Sequence, residues 1–127
     1  VSVQLNHTIV HSRDKHRSAA FLAHIMDLEV GQETGPFVPV VVSNGVTLDY
    51  ATVPAESIST QHYAFLVTEA EFDGIFRRIQ QAGLDFWADP HQKRPGEINH
   101  HDGGRGVYFL DPSGHALEAI TRPYGGS

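Results

Sequence analysis

The chain has 127 residues, 40% hydrophobic and 19% charged, with a formal net charge of -6. That length suits one domain, residues 1–127, with a real core, and the negative balance argues against nucleic acid and anionic membranes as partners. Cysteine is absent, which excludes disulfides and thiolate metal sites; no stretch nears the roughly 20 apolar residues of a membrane span, and no secretory signal opens the sequence, so a cytoplasmic protein is expected.

Gln4 to Val10 reads as a strand. Ser12 or Asp14 can cap a helix that runs to about Leu28, with Phe21, Leu22, Ile25 and Leu28 on its apolar stripe. Phe37 to Ser43 and Val46 to Thr52 read as strands joined by an Asn44-Gly45 turn. A Pro- and Ser-bearing connector follows, and then the pattern restarts. Gln61 to Thr68 reads as a strand. Thr68 opens a helix, and Glu71 three residues on supplies a capping box. Phe72, Ile75, Phe76, Ile79 and Ala82 form the apolar face of that helix, and Gly83 stops it. Phe86 to Ala88 is a short strand, and Asp89 to Gly104 a long loop rich in Pro, Gly, His and charge. Val107 to Leu110 is aromatic and branched, which suits a half-buried strand. Asp111-Pro112-Ser113-Gly114 supplies turn chemistry, a last strand follows, and Arg122 to Ser127 is a polar tail.

Strand, helix and strand meander thus occur twice, at about residues 4–52 and 60–121. Leu5-Asn6-His7 matches Thr60-Gln61-His62, and Leu48-Asp49 matches Leu117-Glu118. A pseudo-twofold would bring two His and two carboxylates into equivalent places. A strand His by itself reads as a satisfied core or rim residue. Here both sit at the same point of a repeat: His7 shares a strand face with Leu5 and Ile9, and His62 with Ala64 and Leu66. Glu118 shares its face with Ala116 and Ile120, where a carboxylate is costly to bury unless it is paired or binds a metal. Two imidazoles and one carboxylate form the facial triad that binds Fe(II), and the same donors take Mn, Ni or Zn.

The two copies, with a His on the first strand of each and a Glu closing Tyr108-Phe109-Leu110-Asp111-Pro112-Ser113-Gly114-His115-Ala116-Leu117-Glu118, resemble the vicinal oxygen chelate superfamily. That group spans glyoxalase I, extradiol dioxygenases, methylmalonyl-CoA epimerase, fosfomycin-resistance enzymes and bleomycin-binding proteins. The resemblance implies an α+β fold, two βαβββ modules forming a curled mixed sheet around a metal cleft. It also implies His7, His62 and Glu118 as ligands of one divalent ion per site, Fe(II) foremost. A homodimer is implied too, with His7 of one chain beside His62 and Glu118 of the other. Asn99-His100-His101, Val107-Tyr108 and Asp111-Pro112-Ser113-Gly114 further resemble the extradiol run. On that likeness Tyr108 and His101 move protons beside a catechol-like substrate with vicinal oxygens.

One departure stands against ring cleavage. Extradiol enzymes usually carry a catalytic His where the repeat puts Asp49, and no His lies between His24 and His62. Asp49 is a short fourth ligand, a general base, or a strand carboxylate facing water. The rival functions are a redox-neutral isomerase or thiol transferase, and a metal-free drug-binding protein. Elsewhere, Arg105 either meets an anionic substrate oxygen or pairs with Asp102 at the surface, and the surface pair is the expectation. His24 and His115 read as rim residues, and His11, Lys15, His16 and Arg17 as a solvated helix face. The loop bearing His91, Lys93, Arg94 and Glu97 is either solvated or a wall over the site.

Overall fold

A computed structural model describes residues 2–125. They fall into two compact units that divide between Ser59 and Thr60, each built on its own mixed sheet.

In the first unit, β1 is His7–Ser12, α1 is Lys15–Met26, β2 is Phe37–Val41 and β3 is Thr47–Thr52. The sheet order is β1-β3-β2, with β1 parallel and β2 antiparallel to β3. Asp14 caps α1, its carboxylate accepting from the backbone N–H groups of His16 and Arg17. Ser12 contributes as well, accepting from the N–H of Asp14 at 3.0 Å. The helix ends two residues before Leu28 because Asp27 turns into the left-handed region at φ 56°. His11 lies in β1, ahead of the helix. The Asn44-Gly45 turn is present, with Gly45 at φ 90° and a bond from the N–H of Val42 to the carbonyl of Val46. Ser18, Ala19, Leu22, Ala23 and Ile25 bury the helix face, and Val10, Val38, Val40, Leu48 and Tyr50 are the buried hydrophobic residues of the sheet, joined by the buried Ser12. A further strand between α1 and β2 is reduced to a single bridge, Val30 to Val40.

In the second unit, β4 is His62–Leu66, α2 is Glu69–Gln81, β5 is Phe86–Trp87, β6 is Gly106–Leu110 and β7 is Ala116–Ile120. The order is β4-β7-β6-β5, with β4 parallel to β7 and the other pairs antiparallel. The Thr68–Glu71 capping box forms in full, satisfying two of the four N–H groups a helix start leaves open. Phe72, Ile75 and Ile79 bury its face, and Gly83 follows at φ 68°. The fold is therefore α+β, with two βαβββ-like modules in two mixed sheets. No helix among the described residues is long and apolar enough to cross a membrane.

The loop from Asp89 to Gly104 is pinned along its length. Asp89 accepts from the N–H groups of Lys93 and Arg94, and Trp87 bridges Pro95. Asn99, 4% exposed, donates to the carbonyl of Ala88 at 2.8 Å and accepts from the N–H of His101 at 3.3 Å. Its backbone pairs with Gly106, where any Cβ would fall within 3 Å of the Asn99 amide.

Candidate metal centre

Two strand pairings build the site in the second unit. Parallel pairing sets Ala64 beside Glu118 and His62 beside Ala116, while antiparallel pairing sets Tyr108 opposite Glu118. Side chains alternate along a strand, so His62, Tyr108 and Glu118 project from the same face of the sheet. His62 Nε2 lies 2.8 Å from Glu118 Oε1. The His62 and Tyr108 rings meet edge to face, 5.9 Å between centroids. Glu118 is 1% exposed, so the burial cost anticipated for its carboxylate is real and is offset by donors on both oxygens. The second donor is Tyr124, whose hydroxyl donates to Oε2 and lies 2.7 Å from that of Tyr108. Burial, reinforced by the nearby carboxylate of Glu118 and by the charge of Asp89, holds the Tyr108 phenol well above its ordinary range. At neutral pH the Tyr108 hydroxyl therefore keeps its hydrogen.

The polar tail expected over residues 122–127 therefore contains a residue that bonds to Glu118. Tyr124 has no periodic pattern to mark it, and only the return of the chain after β7 brings it to Glu118. Residues 126 and 127 lie outside the described residues.

In the first unit the matching positions occupy matching registers. His7 pairs with Thr47, and Ile9 with Asp49. His7 is exposed, and its Nδ1 lies 2.7 Å from Asn6 Oδ1. With Nδ1 as the donor to that carbonyl, Nε2 keeps the lone pair a metal needs. Asp49 is half-buried, and its carboxylate makes no hydrogen bond or ion pair among the described residues. No group of three or more His, Asp or Glu that could hold an ion is assembled among the described residues. What the second unit brings together is His62, Glu118, Tyr108 and Tyr124.

His101 sits in a short 3-10 turn, His101–Gly103, ahead of β6. Its side chain is exposed and makes no hydrogen bond, ion pair or ring contact among the described residues. Arg105 pairs with α2 rather than with Asp102. It reaches Glu69 and Asp73 at 2.8 Å each and lies 4.4 Å from the centre of the Phe72 ring, because α2 offers two carboxylates one helical turn apart over an aromatic face. His115 is 1% exposed rather than at a rim. Its Nδ1 accepts from the N–H of Gln61 at 2.9 Å, and its ring packs edge to face on Tyr63. The alternation of His115 with Leu117 and Ala119 was the sequence signal for that burial.

A family model described as the Glyoxalase/Bleomycin resistance protein/Dioxygenase superfamily matches residues 4–119. The solved structure of Oxidase ChaP-H2 is 61% identical, covering 99% of this chain and 98% of its own, with a TM-score of 0.97. Oxidase ChaP-H1 is 57% identical, covering 98% of this chain and all of its own, with a TM-score of 0.94. Glutathione transferase FosA of Serratia marcescens is 30% identical over 121 residues, 90% of this chain and 77% of that protein. By the extent of the family match, and by a repeat that returns the same pairing register twice, the chain belongs to the Glyoxalase/Bleomycin resistance protein/Dioxygenase superfamily.

Proposed function

We propose that the chain is a metal-dependent oxygenase of the extradiol type, acting as a homodimer on a small aromatic substrate with two vicinal oxygens. The observation that carries this reading is Tyr108 directly across the sheet from Glu118, with His62 2.8 Å from the same carboxylate. Two relatives of high identity bear the name oxidase, which supports it.

The donor set fits a divalent ion. His62 Nε2 and Glu118 Oε1 converge in a buried setting, and His7 has its Nδ1 tied back to Asn6. In this proposal His62 and Glu118 hold the ion with His7 of the partner subunit, in a cleft walled by the curled sheets. Two nitrogens and one carboxylate suit Fe(II) first, with Mn, Ni or Zn also accommodated. Such an ion, when bound, polarises substrate oxygens and as Fe(II) supplies electrons for oxygen chemistry.

The protein's own groups supply the rest. Tyr108, kept protonated by burial and by Glu118, donates a hydrogen bond to an oxygen of the substrate and holds it in place. His101, exposed ahead of β6, takes or returns a proton at the substrate. Asp49 is available as a base.

A second reading has its own support in the likeness to a glutathione transferase. On it, the same ligands polarise a substrate without redox change, and Asp49 acts as base or fourth ligand in a thiol transfer or an isomerisation. Metal content of protein purified without oxygen or chelator, followed by an O₂-uptake screen of catechols, separates the two. About one Fe per chain together with O₂ uptake supports the oxygenase. Bound Ni, Zn or Mn with thiol consumption and no O₂ uptake supports the transferase. An intact fold that holds no metal overturns both and leaves a drug-binding protein.

A further inference from the structure

Glu118 is the most buried charged group of the site, and its two oxygens face different partners. Oε1 meets His62 Nε2 at 2.8 Å. Oε2 accepts from the hydroxyl of Tyr124. Tyr124 follows the end of β7 by four residues and is 55% exposed, while its hydroxyl reaches the buried Glu118. The hydroxyl of Tyr108 lies 2.7 Å from that of Tyr124, so the tail is tied at one atom to both the carboxylate and the phenol of the site.

We propose that Tyr124 is the positioning residue for Glu118: it anchors Oε2 and so presents Oε1 alone, beside His62, to a metal ion. The inference rests on the metal-dependent reading above. Its physical basis is the free oxygen of a one-oxygen carboxylate ligand, which in a buried site needs a donor of its own. A hydroxyl fixed on Oε2 satisfies that oxygen and stops the carboxylate from rotating to offer both. His62 cannot do this, because its Nε2 must exchange the hydrogen bond to Oε1 for the metal. Tyr108 lies on β6 across from Glu118 and would meet substrate by exchanging its own hydrogen bond to the Tyr124 hydroxyl, which stays on the carboxylate. The short Arg122-Pro123 link limits how far the tail can swing, since proline fixes its own φ.

Two measurements on the full chain test this. The first is Co(II) titration of the wild type, Tyr124→Phe and Glu118→Ala, read by affinity and by the visible absorption of the bound ion. Tyr124→Phe is expected to bind about tenfold to a hundredfold more weakly than wild type. Its Co(II) absorption should fall in intensity, as the released oxygen joins the ion and raises its coordination number. A merely structural tail would not move that spectrum. The second is the order of the backbone at residues 121–125 in the metal-free protein, by ¹⁵N relaxation. It should be rigid in wild type and mobile in Glu118→Ala and Tyr124→Phe. Equal affinity and equal spectra for wild type and Tyr124→Phe overturn the inference while leaving the metal site standing. A wild-type tail as mobile as that of Glu118→Ala overturns it as well. Failure of the wild type to take up Co(II) overturns the metal-dependent reading and this inference with it, and a rigid tail would then mark a purely structural contact.

Discussion

In the first module Ile9 lies beside Asp49 across a parallel pair, and in the second Ala64 lies beside Glu118 across another. His7 and His62 each precede that pairing by two residues. Across the antiparallel neighbour, Pro39 faces Asp49 where Tyr108 faces Glu118. The backbones are equivalent, and the side chains are not. Glutamate has one more methylene than aspartate. In the second module the carboxylate reaches the imidazole at 2.8 Å; in the first, His7 bonds to Asn6, and Asp49 has no hydrogen bond or ion pair among the described residues. Proline offers no hydroxyl where Tyr108 has one. A repeat thus fixes where polar groups stand, while side-chain length and type decide which copy carries the carboxylate side of a site.

The sharpest way to break the comparison is to remove each carboxylate in turn. Glu118→Ala should weaken metal binding by well over a hundredfold, more than the loss of a supporting residue costs, with the fold retained. Asp49→Ala should leave affinity within about threefold, since no bond of Asp49 is lost. Metal titration of the two variants by calorimetry checks both. A large loss in Asp49→Ala would make it a fourth ligand and the modules more alike than their contacts indicate.

The histidines give the next test. His7→Ala and Glu118→Ala should each be inactive in pure form. When they are mixed and refolded together, each mixed dimer should regain one intact site if His7 serves the partner subunit. Metal content and activity of the mixture against the two parents measure it. No recovery would mean that every site lies within one chain.

Replacing Tyr108 should spare the metal and strike the chemistry. Tyr108→Phe removes a donor from the substrate side of Glu118, and loss of such a group costs about 10²- to 10⁴-fold in turnover. Metal affinity should change far less than in Glu118→Ala. Single-turnover rates and metal titration of the same variant separate the two effects.

Much of this was legible in the residues. Alternation and turn chemistry placed the final hairpin, because Asp111 to Gly114 satisfies its own backbone: Asp111 accepts from the N–H groups of Ser113 and His115, and Gly114 takes φ 89°. The Thr68–Glu71 box and the Phe72, Ile75 and Ile79 stripe marked α2 for the same reason, since local pattern and tertiary burial agree. The pairing of His62 with Glu118 was legible only through the repeat, because 56 residues separate them and no local pattern links them. Tyr124 was not legible, as a tail without periodicity acquires its partners only from the fold. Arg105 went to Glu69 and Asp73 because helix packing, invisible in the sequence around Asp102, brought two carboxylates within reach.

The smallest expected effect is on stability at high pH, and it distinguishes the two faces across from the carboxylates. Tyr108 is 8% exposed, and burial together with Glu118 holds its phenol well above its ordinary range. The folded state therefore holds the phenolic proton where the unfolded chain has released it. Stability from this source is fully present below about pH 10 and is lost as pH rises toward the folded value, because the native state then binds more protons than the unfolded one. Pro39, at the matching place in the first module, has nothing to titrate. Urea unfolding between pH 8 and pH 11 should show the wild type losing stability more steeply above about pH 10 than Tyr108→Phe does. Tyr63 is held high too, by burial and by the charge of Asp111, so a residual slope should persist in Tyr108→Phe and flatten further when Tyr63→Phe is added. Equal slopes in wild type and Tyr108→Phe would mean that the phenol ionises as easily in the folded chain as out of it, and that Glu118 does not hold its proton.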